Sequence, residues 1–469
     1  MVSSSSDPQW EVVLAEVAEN AELAEGSEGA RSVLVAMFRN EGINNKRLSQ
    51  VTGIAVPALA AVRGEMQKAG ILEDTRSLGS SGRRWAKDNL NLSFESEPIP
   101  FGRSISVEDI PEGLSKLEKV KELLEERPSP DFALDQSRAT YETVVKRTLY
   151  LLAKGDLEGR RIIFLGDDDA ISLAVGLTGL SAKVTVVDID TRVIEFLQKS
   201  SKELGLDNFA VFEHDLRDPC PDETIGAFDV VVTDPPYTVP GMRLFLKRAR
   251  QVLRTHVTTR TGEIETVGKR CLLSFGNKPP LESQLSQISI LEHGFTIREM
   301  VPDFNHYMGA RILGQFSNLY YLHTASATGR EVSFEYRGRP LYTRQAKEAV
   351  SEYRPVGYHI VGELSGVERK TILDNDLIRE AFLESLESAK LGVVDVFQHR
   401  YDPYGYSVVA ILESSHASIH TWPEHGYAGV DIFLCSEVEF GLNAMDFLKD
   451  KLAPRDSEVR WMARGSELE

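Results

Sequence analysis

Alternating strands and helices in the middle of the chain limit its possible folds most strongly. Between about residues 129 and 326, helical segments separate five apolar segments of strand type, which read RRIIFLG, KVTVVDID, FAVFEHD, FDVVVTDPP and KRCLLSFG. This pattern predicts a parallel sheet with helices on both faces, because parallel neighbours need a crossover connection. The predicted fold is a Rossmann-like α/β domain, and such sheets bind ligands at the carboxyl ends of their strands.

One such domain does not account for all 469 residues, because a single core rarely organises more than about 250 to 300 residues. After residue 356, strand patterns in GYHIVGELSG, AKLGVVDVFQHRY, YSVVAILES and YAGVDIFLC surround two helices, which predicts an α+β domain. The chain is therefore predicted to be a multidomain α/β protein. Its segments are a winged-helix-like domain at 1–92, a linker at 93–128, the Rossmann-like domain at 129–326, a linker at 327–355 and the α+β domain at 356–469.

The N-terminal segment has the length and central glycine of a helix-turn-helix. Residues 44–74 read NNKRLSQVTGIAVPALAAVRGEMQKAGILED and leave room for a small wing. A surface that reads DNA would be basic, yet residues 1–92 hold 10 Lys and Arg against 12 Asp and Glu. This balance favours a dimerisation or lid role over DNA binding through residues 57–68.

The whole chain is acidic, with 71 Asp and Glu against 53 Lys and Arg and a formal net charge of −18. Such a charge repels a phosphate backbone and favours a cationic small molecule. Cys220, Cys271 and Cys435 are too scattered for a disulfide framework or a cysteine zinc site, and no metal site is predicted. No segment has the pattern of a membrane span or a secretion signal, which predicts a cytoplasmic protein.

Acidic residues follow each of the first four strands of the Rossmann-like domain. They are Asp167, Asp168 and Asp169 after the first strand, Asp188 and Asp190 after the second, Asp215 after the third, and Asp234 with Tyr237 after the fourth. Three carboxylates in the first loop reject phosphate and suit an ammonium or a sulfonium group. An acid after the second strand commonly binds ribose hydroxyls, and Asp215 can accept from an adenine amino group. The set predicts a site for an adenosyl sulfonium compound.

This region resembles two families. The DPPY motif at 234–237 is similar to that of amino-methyltransferases acting on adenine in DNA. The longer run DQSRATYETVVKRTLYLLAKGDLEGRRIIFLGDDDAISLA, continued by VDIDTRVIEF, HDLRDP and FDVVVTDPPYT, resembles the branched-chain polyamine synthases, over roughly residues 1–326. The second family is favoured because the first loop reads GDDD instead of a glycine-rich turn and because the chain is acidic.

The resemblance to branched-chain polyamine synthases implies transfer of an aminopropyl group from decarboxylated S-adenosylmethionine to a polyamine nitrogen, with methylthioadenosine as the second product. It implies that Asp234 orients and deprotonates the acceptor amine and that Asp168 and Asp169 hold the cationic ends of the substrates. Tyr237 would line the path by cation–π contact. Carboxylates suit these roles, because the amine must lose a proton and be held in line.

The last domain carries a second resemblance. Its segment PYGYSVVAILESSHASIHTWPEHGYAGVDIFLC closely resembles the prokaryotic S-adenosylmethionine decarboxylases, and the match covers about 357–435. In these enzymes a serine hydroxyl attacks the preceding carbonyl, and elimination leaves a pyruvoyl group at a new N-terminus. In register with SHxxIHTWPE, that serine is Ser415. The same register gives Ser407 and His420 for self-cleavage, Cys435 for protonating the substrate carbon, and Glu424 for binding the ribose hydroxyls.

One residue departs from the family pattern at the cleavage point. The family has glutamate before the reactive serine, whereas this chain has Ser414 there and Glu413 one place earlier. Serine permits the reaction, because this residue contributes only its backbone carbonyl. Cleavage is therefore predicted between Ser414 and Ser415. Taking Ser414 as the reactive residue would break the register with His420 and Cys435.

The two resemblances together predict a bifunctional enzyme that makes decarboxylated S-adenosylmethionine and then consumes it. Its predicted substrates are S-adenosylmethionine and polyamines, its cofactor is the pyruvoyl group from Ser415, and its predicted assembly is a homodimer of self-cleaved protomers. One alternative keeps this architecture but decarboxylates ornithine or arginine. Another is a DNA-binding regulator or DNA adenine methyltransferase that uses the winged helix.

Overall fold

The computed structural model describes residues 9–99, 104–254, 256–257, 264–265, 267–308, 315–325, 341–342 and 356–464. The chain divides into two compact units, residues 1–348 and 349–469. The predicted linker at 327–355 lies outside the described residues except for Leu341 and Tyr342. The domain boundaries predicted within the first unit remain a proposal.

The first unit begins with five helices. They are α1 (Gln9–Asn20), α2 (Gly26–Arg39), α3 (Asn45–Thr52), α4 (Val56–Lys68) and α5 (Gly79–Leu90). Helices α3 and α4 lie where the helix-turn-helix is predicted, and Gly53 supplies the left-handed turn between them. The prediction of a small wing is wrong, because residues 9–99 contain no strand. The Asp74 carboxylate instead accepts from the backbone of Arg76 and Ser77, which folds this segment into a tight turn.

Both basic side chains of α4 have protein partners. Arg63 is 5% exposed and donates to the carbonyl of Ile43 and to Oδ1 of Asn45. Lys68 forms an ion pair with Glu65 at 2.6 Å. Helix α4 therefore presents no unpaired cation to a phosphate backbone.

An eight-stranded sheet forms the centre of the first unit. Its order is β1-β9-β10-β8-β5-β2-β3-β4. The strands of this unit are β1 (Arg138–Ala139), β2 (Arg161–Leu165), β3 (Lys183–Asp188), β4 (Phe209–Glu213), β5 (Val230–Thr233), β6 (His256–Val257), β7 (Ile264–Glu265), β8 (Arg270–Phe275), β9 (Phe295–Met308) and β10 (Phe316–Thr324), where β6 and β7 pair separately. Its further helices are α6 (Val120–Glu125), α7 (Tyr141–Lys154), α8 (Ile171–Thr178), α9 (Thr191–Glu203), α10 (Val239–Val252) and α11 (Pro280–Glu292).

The five predicted strands of the Rossmann-like domain are confirmed as β2, β3, β4, β5 and β8, and all are mutually parallel. Successive residues such as Ile162 and Ile163 are buried on opposite faces of the sheet, because helices cover both faces. The strand order reverses between β2 and β5. A crevice therefore opens at the carboxyl ends of these two strands.

The prediction of a parallel sheet is wrong at one edge of the sheet. Strand β10 runs antiparallel to both β8 and β9, and β9 pairs with the short β1. The sequence of β9, FTIREMVPDFNHYM, lacks an apolar run because most of its side chains are not buried. A short-range hydrophobic pattern therefore gives no sign of this strand.

Helices α1 and α2 are joined to the amino-terminal edge of the sheet by buried charges. Lys269, just before β8, contacts Glu11 and Glu28 at 2.8 Å and Asp229 at 3.3 Å. Arg160 pairs with Glu28, and Arg254 pairs with Glu11 and Asp229. The three carboxylates lie close enough to hold a metal ion, but the Lys269 ammonium takes the place of that cation. These contacts place α1 and α2 at the edge opposite the crevice, and the dimerisation or lid role of the N-terminal segment stays a prediction.

The second unit is a six-stranded antiparallel sheet with helices on one face. Its strands, in the order β12-β13-β14-β15-β11-β16, are β11 (Gly357–Ser365), β12 (Val393–Arg400), β13 (Tyr406–Leu412), β14 (Ser415–Trp422), β15 (Tyr427–Leu434) and β16 (Asp456–Arg464). Its helices are α12 (Arg369–Ile372), α13 (Asn375–Ser388) and α14 (Val438–Leu452). Gly362 lets α14 approach β11, because an added Cβ would lie 2.1 Å from the Met445 methyl. The predicted α+β layout is confirmed.

No helix among the described residues is long and apolar enough to span a bilayer.

Glu28→Gln should lower the free energy of unfolding by about 3 to 5 kcal/mol, because it leaves Lys269 and Arg160 buried with too little negative charge. Denaturant titration of the purified protein measures this loss. The control is Lys199→Met, which breaks an ion pair with Glu126. Both side chains of this pair are more than half exposed, so the free energy of unfolding should stay nearly unchanged.

The loss of unfolding free energy caused by Glu28→Gln should also depend on pH. Burial alone would raise the pKa of Glu28, but Arg160, Lys269 and Arg270 lower it well below its ordinary value. Glu28 therefore stabilises the fold above the pKa of glutamate in the unfolded chain, and this contribution is lost as the pH falls. The difference between wild type and Glu28→Gln should shrink on acidification. A difference that stays constant would contradict this assignment.

Candidate active sites

The structure brings the predicted acidic residues of the first unit to one edge of the sheet. Asp167, Asp168 and Asp169 follow β2, Asp188 ends β3, Asp190 and Asp215 follow β3 and β4, and Asp234 and Tyr237 follow β5. Gly166 begins the first loop with a φ of 73° and donates its N–H to the carbonyl of Val187. We call this edge the acidic crevice.

Asp167 has a structural role at the start of α8. Its two carboxylate oxygens accept from the backbone nitrogens of Ile171 and Ser172 at 2.9 and 3.0 Å. Burial raises the pKa of Asp167 to about 8, although these hydrogen bonds oppose the shift. The side chain is 3% exposed, so its oxygens serve the helix instead of a ligand.

Asp169 is bound by two buried arginines. Arg147 approaches its Oδ2 at 3.3 Å, Arg127 approaches its Oδ1 at 3.7 Å, and the backbone nitrogen of Ala139 donates at 2.7 Å. The carboxylate is 5% exposed. Asp169 thus fixes the loop after β2 against α7 and β1.

Asp168 differs from both neighbours. Its side chain is half-buried, and within the described part of the chain it has no hydrogen bond or ion pair. Burial raises the pKa of Asp168 well above its ordinary value, and Asp169, Asp188 and Asp234 raise it further. Of the three acids in GDDD, Asp168 is the one left to bind an external cation or to accept a proton.

The acids after β3 and β4 also have protein partners. Asp188 accepts from the backbone nitrogens of Asp167 and Asp190 at 2.9 Å. Asp190 caps α9 and binds the Arg192 side chain, with Nη2 at 2.6 Å. Asp215 forms a bidentate pair with Arg217. Asp190 is therefore engaged in the fold, and a ligand of Asp215 has to share its carboxylate with a guanidinium.

Asp234 lies at the base of the crevice, where two donors bind the same oxygen. Its Oδ2 accepts from Arg147 at 2.9 Å and from the Tyr307 hydroxyl at 2.5 Å. The Tyr237 hydroxyl lies 3.0 Å from that of Tyr307, and its ring packs edge-on against Phe275. Tyr237 is 8% exposed, so packing accounts for most of its surface. Both donors bind Oδ2, so Oδ1 is the oxygen of Asp234 that is freer to contact a ligand.

A residue pair outside the sheet also reaches the crevice. Thr238 donates to the carbonyl oxygen of Leu341 at 2.6 Å. Burial raises the pKa of the adjacent Tyr342, and Asp215 and Asp188 are close enough to act on it. Tyr342 therefore lies beside the adenosine end of the predicted site.

Sequence reasoning missed Arg147, Tyr307 and Tyr342. Arg147 had a detectable signal, since it is a charged residue at the buried helical spacing of Val144 and Leu151 in α7. Tyr307 lies in β9, whose pattern is polar, and Tyr342 lies within a predicted linker. Neither tyrosine carries a signal that a single sequence reveals.

In the second unit, Ser407 and His420 face each other across β13 and β14. They are register partners, and Ser407 Oγ lies 2.5 Å from His420 Nδ1. A serine and an imidazole in hydrogen-bond contact can exchange a proton. The structure thus pairs two of the residues that the sequence register selects.

Ser415 begins β14 directly after a two-residue turn. Leu412 pairs with Ser415, so Glu413 and Ser414 form the turn between β13 and β14. The Ser415 hydroxyl donates to the carbonyl of Phe433. Cys435 is exposed immediately after β15, at this same end of the antiparallel strands.

Within one chain, the predicted site residues of the second unit do not all lie close together. His420 lies five residues along β14 from Ser415, a separation of roughly 16 Å at the rise of a strand. Glu424 is exposed in the turn beyond Trp422, at the opposite end of β14. Ser415 and Cys435 therefore form one group, and Ser407 with His420 forms another.

Further polar pairs lie on the sheet face that carries no helix. His359 Nε2 is 3.3 Å from Asp431 Oδ1, and the Tyr427 hydroxyl donates to Glu363. Each pair joins β11 to β15. Cross-strand pairing, which the sequence alone does not reveal, creates both pairs.

Comparisons with known proteins match both units. Residues 115–331 match the model of the branched-chain polyamine synthase A C-terminal domain, and residues 358–465 match that of S-adenosylmethionine decarboxylase. An S-adenosylmethionine decarboxylase proenzyme of Pyrococcus furiosus is 37% identical over 114 residues, which are 24% of this chain and 82% of that protein.

A relative of the first unit is the N(4)-bis(aminopropyl)spermidine synthase of Thermococcus kodakarensis. It is 34% identical over 212 residues, or 44% of this chain, and the chain spans 56% of its length. The solved branched-chain polyamine synthase of Thermus thermophilus, in complex with N4-aminopropylspermidine and 5'-methylthioadenosine, is 21% identical. That likeness covers 71% of this chain and 98% of that one, with a TM-score of 0.44.

An acid-lined Rossmann-like unit and an antiparallel α+β unit in one chain define a fusion of two enzyme domains. The chain belongs to the S-adenosylmethionine decarboxylase family through its C-terminal unit, which is fused to a domain of the branched-chain polyamine synthase type.

Asp168→Asn should weaken binding of an adenosyl sulfonium compound by about tenfold, because it removes the unpaired carboxylate. Its thermal stability should stay equal or rise, since ionising a buried carboxyl costs free energy. For the wild type, affinity should increase as the pH rises through the raised pKa of Asp168. Calorimetric titration checks both trends.

The matched control is Asp167→Ala. It should cost about 1 kcal/mol of stability, because α8 loses the carboxylate at its N-terminus. Unchanged affinity in Asp168→Asn would show that the cation binds elsewhere.

Proposed function

We propose that the chain is a cytoplasmic bifunctional enzyme of polyamine synthesis. The C-terminal unit would cleave itself, form a pyruvoyl group and decarboxylate S-adenosylmethionine. The first unit would transfer the aminopropyl group of the product to a polyamine. The observation that carries this proposal is that one chain combines the decarboxylase register around Ser415 with a crevice in which Asp168 has no partner among the described residues.

Self-cleavage would begin at the turn between β13 and β14. Ser415 Oγ attacks the carbonyl carbon of Ser414, the peptide C–N bond breaks, and an ester forms. Removal of the Cα proton of residue 415 then expels the Ser414 carboxylate, and hydrolysis with loss of ammonia leaves the pyruvoyl group. The hydrogen bond to Phe433 supports this assignment, because it uses the hydroxyl proton and leaves the Oγ lone pairs free.

The predicted residues of the second unit suit a pyruvoyl group. Its carbonyl would supply an electron sink for the loss of carbon dioxide. The Ser407 and His420 pair of a second copy could take up the Cα proton during maturation. Cys435 is exposed at the Ser415 end of the strands and can return a proton to the substrate carbon. Glu424 remains our candidate for the ribose hydroxyls.

In the first unit, an amine nitrogen would attack the carbon next to the sulfonium, and methylthioadenosine would leave. Asp234 would orient the amine through Oδ1, since Arg147 and Tyr307 bind Oδ2. Asp168 suits the role of proton acceptor better, because its raised pKa matches the task and no donor competes for it. Asp188 and Asp215 remain our candidates for ribose and adenine.

A homodimer would complete the decarboxylase site. Ser415 and His420 are separated along β14, so a second copy could bring its own Ser407 and His420 to Ser415. The sheet face without helices would form the contact. It exposes Phe397 at 59% and Trp422 at 42%, and apolar side chains of this size gain free energy on burial.

Intact-mass spectrometry should find two fragments of the purified protein, residues 1–414 and 415–469, because Ser415 breaks the bond before it. Ser415→Ala should give one uncleaved chain of 469 residues. Ser414→Ala should still be cleaved, since residue 414 contributes only its carbonyl. An active protein with an unbroken chain would disprove the pyruvoyl assignment.

The cleaved protein should release labelled carbon dioxide from carboxyl-labelled S-adenosylmethionine and then, with spermidine, form methylthioadenosine. Release from ornithine or arginine instead would establish the alternative substrate. Tight duplex DNA binding without either product would establish the regulator.

Co-expression of Ser415→Ala with His420→Ala should restore decarboxylation, although each variant alone should be inactive. A mixed dimer would contain one complete site, so random pairing predicts about a quarter of wild-type activity. Separate affinity tags isolate the mixed dimer for the assay. Absence of restored activity in that dimer would show that each chain builds its site alone.

A further inference from the structure

Arg147 connects the ends of three strands beneath the acidic crevice. From α7 its guanidinium donates to Asn305 at 2.7 Å, to Tyr307 at 2.7 Å and to Asp234 at 2.9 Å, and it approaches Asp169 at 3.3 Å. The side chain is 1% exposed. Every partner lies in β9 or in the loops that follow β2 and β5.

This arrangement divides the crevice acids into paired and unpaired groups. One guanidinium offsets the charge of Asp169 and Asp234, whereas Asp168 stays unpaired among them. Burial lowers the pKa of Arg147, but Tyr307, Asp234 and Asp169 raise it above its ordinary value, so the group stays charged. A buried cation of this kind is costly unless carboxylates surround it.

We propose that Arg147 and Tyr307 are positioning residues for aminopropyl transfer, which bind Oδ2 of Asp234 and direct Oδ1 toward the acceptor amine. This inference rests on the proposed function of the first unit. Two donors on Oδ2 restrict rotation of the carboxylate. Orientation of the attacking nitrogen then follows from the fixed carboxylate.

Loss of one of the two donors should act on the rate constant of transfer. The Arg147 guanidinium and the Tyr307 hydroxyl bind the same oxygen of Asp234. With one donor removed, the carboxylate can rotate, so the amine is held in line with the sulfonium carbon less often. Asp234 does not orient the sulfonium substrate in this proposal, so binding of that substrate should change little.

The test compares kcat and KM for aminopropyl transfer from decarboxylated S-adenosylmethionine to spermidine in the full-length protein. Tyr307→Phe, which removes one oxygen atom, should lower kcat about tenfold. KM for the sulfonium substrate should change less than about threefold. Arg147→Lys should retain more activity than Arg147→Met, because it keeps the charge.

Arg160→Lys is the matched control, since Arg160 is equally buried and paired with Glu28 at the opposite edge of the sheet. It should lower stability without lowering kcat. The proposal is overturned if Tyr307→Phe and Arg147→Met keep the wild-type kcat while their stability falls. A wild type that decarboxylates but never alkylates an amine would instead refute the transferase function, and the proposal with it.

Discussion

Repulsion between carboxylates is the constraint on which the first unit depends. Several acids are placed at neighbouring strand ends, where burial raises the energy of each charge. The fold resolves this by giving most of them a partner: Asp167 has helix amides, Asp169 and Asp234 share Arg147, and Asp215 has Arg217. Among the described residues, Asp168 has no partner. A cationic ligand would relieve the repulsion that these residues leave uncompensated, so the same electrostatics would account for both the fold of this edge and the cationic ligand that we propose for it.

The opposite edge of the sheet uses buried charge for a different purpose. There Lys269 holds Glu11, Glu28 and Asp229 around one ammonium, and the cluster fixes the N-terminal helices to the strands. Acids and bases are balanced at that edge, whereas acids remain in excess at the crevice. The N-terminal helices therefore read as part of the scaffold that sets strand positions. This explains why a helix-turn-helix can occur here without a basic surface.

Much of this architecture could be predicted from the sequence, because buried parallel strands are continuous apolar runs and their ends carry the acids. The register around Ser415 likewise located Ser407 and His420, which the structure pairs. Strands β9, β10, β14 and β16 were missed. In β9, β14 and β16 the polar residues alternate with few apolar ones. Arg147 and Tyr307 were also missed. Both residues contact Asp234, from which they are separated by 87 and 73 positions in the sequence. No local sequence pattern reveals a contact over such a separation.

The strand order of the second unit has a consequence for the proposed self-cleavage. A cut before Ser415 would assign β11, β12 and β13 to the large fragment and β14, β15 and β16 to the small one. Because β11 lies between β15 and β16, and β14 lies against β13, the fragments are interlaced within a single sheet. Separating them would require three ladders of backbone hydrogen bonds to open at once. The two fragments would therefore stay associated and move as one rigid unit, although no covalent bond joins them.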